Sequence, residues 1–174
     1  GDMVFPVVIK PNDQGSTIGL TVVKDESELD NAVELARQFA NVVLIEEFIV
    51  GKEITVTVIG DKAYPIVEIV PSHGLYDYEC KYNKGMTEYF CPANIDKDLT
   101  KAIQESALKI HKLLGCRHYS RVDFRLDKNG KAWFLELNTL PGMTETSLVP
   151  KSAKASGLNF PELIQTIINE ALEN

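Results

Sequence analysis

Arg121, Asp123, Glu136 and Asn138 are the residues whose types and spacing point most directly to chemistry. Arg121 and Asp123 are two apart, as are Glu136 and Asn138, so each pair lies on one face of its strand if the runs are extended. Between the runs stands Asp127-Lys128-Asn129-Gly130, and Asn-Gly is a strong hairpin signal. With Asn129 and Gly130 as the two central turn residues, Asp123 falls opposite Glu136 and Arg121 opposite Asn138. Val122, Phe124 and Leu126 then share the other, apolar face with Trp133, Leu135 and Leu137. A four-residue turn would shift the register but keep the four polar side chains together. Two acids side by side repel unless something neutralises them, and a hard cation does so. Mg²⁺ typically takes one or two carboxylates plus phosphate oxygens of a substrate. The other reading of the same residues is a solvated outer face on which Arg121 pairs with the acids.

A second stretch that could do chemistry is Lys10-Pro11-Asn12-Asp13-Gln14-Gly15-Ser16-Thr17-Ile18-Gly19. Backbone amides in such a turn can cradle phosphate oxygens, and Lys10 adds a point charge. It is neither a P-loop nor a dinucleotide fingerprint, because Gly-Lys-Ser/Thr is absent and a strand rather than a helix follows. A third is Leu44 through Glu53, an apolar strand that ends in Glu46-Glu47 and bends at Gly51. It reads either as an interdomain hinge lining an adenine slot or as a plain strand–turn–strand. His73, His111 and His118 show no ligand spacing and read as loop, helix-surface and strand residues. Cys80, Cys91 and Cys116 form no CxxC and read as plain reduced thiols.

The elements that must position these residues follow from periodicity. Val4–Lys10 and Leu20–Val23 read as strands. Asp25 with Glu28 forms a capping box for a helix with Leu29, Val33, Ala36 and Phe39 on its stripe. Val42–Glu46 reads as a buried strand, and Glu53–Ile59 alternates before Gly60-Asp61 turns it into Ala63–Val70. The period is lost from Pro71 to Pro92, a stretch that reads as a functional lid or as a disordered segment. Asp96–Leu114 is a helix with Leu99, Ile103, Ala107, Ile110 and Leu114 on one face and Gly115 as its stop. Strands Tyr119–Leu126 and Lys131–Asn138 follow, then a helix from Pro161 through Ile164, Ile167, Ile168 and Leu172. Strands and helices alternate, but with hairpins, so the class reads as α/β or α+β with a mainly antiparallel sheet.

Composition sets the outer bounds. The 174 residues are 44% hydrophobic and 25% charged, enough apolar matter for a core. Lys plus Arg total 18 against 25 Asp plus Glu, a net charge of −7 that argues against nucleic-acid or membrane-surface binding. The best apolar run, Val42–Ile45, is far short of a membrane span. Three unpaired-looking cysteines suit a reducing compartment, so a cytoplasmic location is expected. Gly1-Asp2-Met3 stands directly before a strand-like run, which reads as a cut piece of a longer protein.

Taken in order, these segments resemble the ATP-grasp carboxylate–amine ligases, and among them the D-alanine–D-alanine ligases. The matching segments are Val8-Ile9-Lys10-Pro11 with Gly15–Gly19, Glu46 through Glu53, and Tyr76 through Tyr82. They continue with Ser120-Arg121-Val122-Asp123, Glu136 through Thr144, and Ser147-Leu148-Val149-Pro150. The resemblance implies an α+β ATP-grasp fold, of which this chain is the C-terminal part: residues 1–48 the second half of the central subdomain, 49–174 the C-terminal subdomain, and about 71–92 a mobile loop. It implies ATP as substrate, two Mg²⁺ or Mn²⁺ ions, D-alanine, and a role in peptidoglycan precursor synthesis. Lys10 and Lys81 would reach the ATP phosphates under the loop at Gly15 and Ser16. Glu46, Phe48 and Ile49 would face the adenine, and Glu53 would hold the ribose hydroxyls. Asp123, Glu136 and Asn138 would hold the metal ions. Arg121 and the Gly142 amide would stabilise the tetrahedral intermediate, and Ser147 and Leu148 would seat the carboxylate of the second D-alanine. Ser16 and Tyr82 would belong to the network around the substrates, and Lys81-Tyr82 looks like the dipeptide-forming members.

Two departures accompany the resemblance. Many relatives carry Lys where this chain has Glu47. Residues that other members supply from a preceding portion have no match here: a second phosphate-binding Lys, and an acid and His that position the first D-alanine. The chain taken alone is therefore expected not to turn over, and a homodimer is the assembly considered for the full-length protein. The alternatives are another ATP-grasp amino-acid or D-lactate ligase, or a nucleotide-binding module without catalysis.

Overall fold

The computed structural model describes residues 3–71 and 87–173. The chain divides into two compact units, Gly1–Ile49 with Pro71–Glu88, and Val50–Val70 with Tyr89–Asn174.

In the first unit, β1 (Val7–Pro11) lies between β2 (Thr21–Val23) and β3 (Val43–Glu47), antiparallel to both. Val7 and Ile9 face inward and pack with Val23 on Ala32 and Ala36 of α1 (Leu29–Arg37). Val8 and Lys10 therefore lie on the opposite face of β1. The capping box forms one residue out of the expected register. Asp25 accepts from the Ser27 amide at 3.0 Å, and Glu28 reaches back to the Lys24 amide at 2.9 Å, across a short 3₁₀ turn that leads into α1. The expectation of a buried strand at Val42–Glu46 is corrected, since among the described residues β3 is an edge strand of its sheet and Val42 and Ile45 are 57% and 45% exposed. An unbroken β-branched run looks the same whether or not a neighbour covers it.

The second unit is built on a sheet of order β7-β6-β4-β8-β9, with β5 pairing off β4. Its strands are β4 (Gly51–Ile59), β5 (Lys62–Ala63), β6 (Val67–Pro71), β7 (Thr87–Phe90), β8 (Tyr119–Asp127) and β9 (Ala132–Asn138). Ile54, Val56 and Val58 of β4 join Val122, Phe124 and Leu126 of β8 against Ile103 and Ala107 of α2 (Lys97–Leu113). Fully burying each Val, Leu, Ile or Phe among these contributes about 1.5–3 kcal/mol. The opposite face is also covered at its end. Ile59 packs with Tyr64 on Val149 and Ala153 of α3 (Leu148–Ala155) and on Leu163 of α4 (Phe160–Glu173).

Several sequence expectations shift here. On α2 the buried stripe continues from Ile103 and Ala107 to His111, whereas Leu114 is 61% exposed. The spacing of four residues had fitted His111 equally well, and apolar preference chose Leu114. Gly115, at φ +68°, closes the helix, with the Gly115 amide on the Lys112 carbonyl and the Cys116 amide on the His111 carbonyl. Helix α3 has no counterpart among the expected elements. In α4 the packed positions are Leu163 and Ile167, while Ile168 and Leu172 face outward. Asn159 and Glu162 form the capping box of α4, each carboxyl or amide oxygen accepting the other's backbone N–H.

Candidate functional site

The polar face of the second unit's sheet is set by register. Thr55 of β4 lies opposite Asp123 of β8, Glu53 opposite Arg125, and Thr57 opposite Arg121. On the other side of β8, Asp123 lies opposite Glu136 and Arg121 opposite Asn138, as the parity of the hairpin predicts. The route to that register differs from the expected one. Asp127 receives the Lys131 end of the turn, its carboxylate accepting from the Asn129 and Lys131 amides, and Gly130 sits at φ +81°. This connection is one residue longer than a two-residue turn and pairs Phe124 with Phe134 and Leu126 with Ala132. A register shift between Asp123 and Phe124 takes up the extra residue. Trp133 therefore does not join the apolar face. It pairs with Arg125, and its indole N–H donates to Asp127 at 3.1 Å. The two irregularities cancel where the polar cluster stands.

Within that cluster the carboxylate of Asp123 is saturated. Its Oδ1 accepts from Arg121 Nε at 2.9 Å and Thr55 Oγ1 at 2.6 Å, and its Oδ2 accepts from Arg121 Nη2 at 2.7 Å and Asn138 Nδ2 at 3.2 Å. These are about all the lone-pair positions a carboxylate has. Asn138 Nδ2 also donates to Glu136 Oε1 at 3.1 Å, so one amide ties the two acids together. Among the described residues no three acid, His or Cys side chains converge; the third donor of this set is an amide. Two carboxylates and an amide, all oxygen donors, fit a hard divalent cation that keeps water and phosphate oxygens as its other ligands. Arg121 neutralises Asp123 here, as in the solvated-face reading of these residues. Nearby, Arg125 lies 3.4 Å from Glu53.

The first unit holds the other sequence-marked residues. Lys10 Nζ lies 2.6 Å from Glu46 Oε2, on the face of β1 away from α1. Gly15 and Ser16 lie in the loop between β1 and β2, where Ser16 and Thr17 adopt φ of 56° and 65°. Left-handed backbone is uncommon for any residue with a side chain, and for β-branched Thr17 it is a genuine outlier. Such strain, about 1–3 kcal/mol per residue, collects at ligand-holding segments. Phe48 and Ile49 follow β3, and the Phe48 amide donates to the Pro6 carbonyl at 3.2 Å.

Gly142, Ser147 and Leu148 meet at the start of α3. Ser147 is the N-cap residue, yet its hydroxyl does not cap the helix. It bonds the Thr144 amide at 3.1 Å and the Thr144 hydroxyl at 2.8 Å. A Cβ on Gly142 would come within 3.1 Å of that same hydroxyl. Lys151 donates to the Thr146 carbonyl at 2.5 Å and lies over the Tyr89 ring, and burial holds its ammonium below the ordinary lysine range. Cys91 is a poor nucleophile, because burial pushes its thiol up to about 11.

Lys81, Tyr82, Cys80 and His73 lie outside the described residues, as does most of the segment expected to act as a lid. Sequence reasoning missed Thr55, Thr57 and Arg125, whose only signal was their alternation within strands. The expectation that His111 sits on a helix surface is corrected: it is 2% exposed, with Nδ1 2.7 Å from Ser120 Oγ and Nε2 2.7 Å from the Arg117 carbonyl.

Residues 1–169 match the family model described as D-ala D-ala ligase C-terminus. A D-alanine–D-alanine ligase of Methylacidiphilum infernorum is 53% identical over 163 residues, 94% of this chain and 54% of that protein. The solved VanG D-Ala:D-Ser ligase of Enterococcus faecalis matches with TM-score 0.85 and 36% identity, over 97% of this chain and 50% of that one. A D-alanine–D-alanine ligase of Bacillus anthracis solved with ATP matches with TM-score 0.78 and 33% identity, over 97% and 51%. The chain spans about half the length of the curated relatives it matches.

Proposed function

The chain belongs to the D-ala D-ala ligase C-terminus family and has the ATP-grasp fold, and from that premise we propose that it carries the ATP, metal and second-substrate residues of a D-alanine–D-alanine ligase. The observation that carries this reading is the cluster of Asp123, Glu136, Asn138 and Arg121 on one polar sheet face. In the reaction, the carboxylate of one D-alanine attacks the γ-phosphorus of ATP and releases ADP, giving an acyl phosphate. The amine of a second D-alanine attacks the acyl carbon, and phosphate leaves. Both steps concentrate negative charge, so oriented cations and N–H donors matter most.

Asp123, Glu136 and Asn138 would hold two Mg²⁺ or Mn²⁺ ions, which supply neutralisation of phosphate charge when bound. Lys10 and Lys81 would bind ATP phosphates, with the strained loop at Gly15 and Ser16 offering backbone amides to them. Glu46, Phe48 and Ile49 would bind the adenine and Glu53 the ribose. Arg121 and the Gly142 amide would bind the oxyanion of the tetrahedral intermediate, and Tyr82 would help orient the substrates. Ser147 and Leu148 would seat a carboxylate at the start of α3, where the Ser147 side chain leaves the helix amides uncapped.

The test is Asp123→Asn combined with Glu136→Gln in the full-length gene product. Dipeptide formation should fall to background, and ligation that survives both changes would sink the metal assignment. A D-alanine–D-serine ligase is the second reading, favoured by the VanG likeness, and product identity with mixed amino acids separates the two.

A further inference from the structure

Asp123 is held by four hydrogen bonds, and two of them come from Arg121. A divalent cation at this carboxylate needs a lone pair that Arg121 now occupies, and the guanidinium, at the end of a long rotamer-rich side chain, is the member able to yield it. Once Arg121 leaves, Oδ1 keeps one donor and Oδ2 keeps one. The donor on Oδ2 is Asn138 Nδ2, which must turn away if the same amide presents its oxygen to a cation. The donor on Oδ1 is Thr55 Oγ1 at 2.6 Å.

Thr55 has no comparable freedom. It is 1% exposed, in the middle of β4, and backbone pairing sets it directly opposite Asp123. Its hydroxyl carries one proton and has two acceptors in range, the carboxylate at 2.6 Å and the Val122 carbonyl at 3.3 Å. The shorter contact, to a charged acceptor, takes the proton.

We propose that Thr55 is a positioning residue for the metal site: its buried hydroxyl fixes Asp123 through Oδ1 while Arg121 yields the carboxylate to a divalent cation. This rests on the metal reading above. Partners of this kind, behind a metal-binding side chain, commonly change metal affinity by about 10–100-fold when removed.

The experiment uses the full-length gene product and Mn²⁺ as the probe. Free Mn²⁺ is counted by electron paramagnetic resonance during titration in the presence of ADP, for wild type, Thr55→Val, Thr55→Ser and Asp123→Asn. Thr55→Val keeps the volume and the β-branched shape but removes the donor, so Mn²⁺ affinity should fall about 10–100-fold. Thr55→Ser keeps the hydroxyl and should stay within about threefold of wild type, well below that range. ADP affinity in EDTA should be the same for both Thr55 variants, a result that a merely structural defect would not leave intact. Unchanged Mn²⁺ affinity in Thr55→Val, with loss in Asp123→Asn, would overturn the positioning role and leave the metal reading standing. Unchanged Mn²⁺ affinity in Asp123→Asn would overturn the metal reading and this inference with it.

Discussion

Arg121 has two tasks that exclude each other in time: it neutralises Asp123 in the structure at hand, and the proposed chemistry needs it at the reacting carbonyl. Arg121→Met should therefore lower turnover by about 10²–10³-fold, the usual cost of one oriented oxyanion donor. Substrate KM should move much less, and steady-state kinetics at saturating ATP would show the split. Ser16 offers a contrast of sign. Its left-handed φ of 56° stores strain that glycine would release, so Ser16→Gly should raise stability by about 1 kcal/mol. The same change should weaken ATP binding, because the loop loses its fixed shape and a hydroxyl. Thermal melting and nucleotide titration measure the two effects, and a loss of both would refute the strain argument. The hairpin residues were legible in the sequence because strand parity has a period of two, which needs only the local chain. Thr55 was not, since its partner is 68 residues away and only backbone register brings them together.

Strand β4 is what aligns these side chains, and its pairing with β8 runs from Gly51↔Asp127 to Ile59↔Tyr119. Gly51 is part of that pairing and not a bend after β3. A Cβ there would lie 2.0 Å from the Leu126 carbonyl oxygen and 2.8 Å from its carbon, both backbone atoms. Gly51→Ala must force the strands apart and should cost at least about 1–3 kcal/mol. Gly15→Ala, with nothing within 4 Å, should cost far less, and urea denaturation of both compares them. His111 gives α2 a pH-dependent hold on β8. Burial holds its imidazole below the ordinary 6.5, and Lys112 adds to this, while the Arg117 carbonyl and Asp61 oppose it. In the unfolded chain the ring takes up a proton near 6.5, so as pH falls below that value the unfolded state binds more protons. This contribution to stability is present above 6.5 and is lost as pH falls toward the folded value. Melting from about pH 8 to about pH 5.5 should show a steeper decline for wild type than for His111→Gln, and equal slopes would refute the assignment. Helix periodicity revealed α2 and α4, but α3 escaped it. Eight residues with Pro150 in the first turn give too little pattern, and burial of Leu148, Val149 and Ala153 against neighbouring elements defines it instead.

Across the molecule, a net charge of −7 coexists with Lys10, Lys81 and Arg121, the cations to which the proposal gives the phosphate and oxyanion chemistry. Composition could report only the sum. The mainly antiparallel sheet was legible because hairpins and strand alternation are local; the proposed roles rest on the order of six motifs, and the family on the match over residues 1–169. Because the chain spans about half the length of its relatives, the 174 residues alone should form no D-alanyl-D-alanine. Dipeptide made by the isolated chain would refute that. For the full-length gene product, the decisive assay supplies ATP, Mg²⁺ and D-alanine as the sole amino acid, and follows phosphate release together with product mass. Phosphate and D-alanyl-D-alanine should appear in equal amounts. Phosphate release that begins only when D-serine, D-lactate or another nucleophile is added would overturn the assignment.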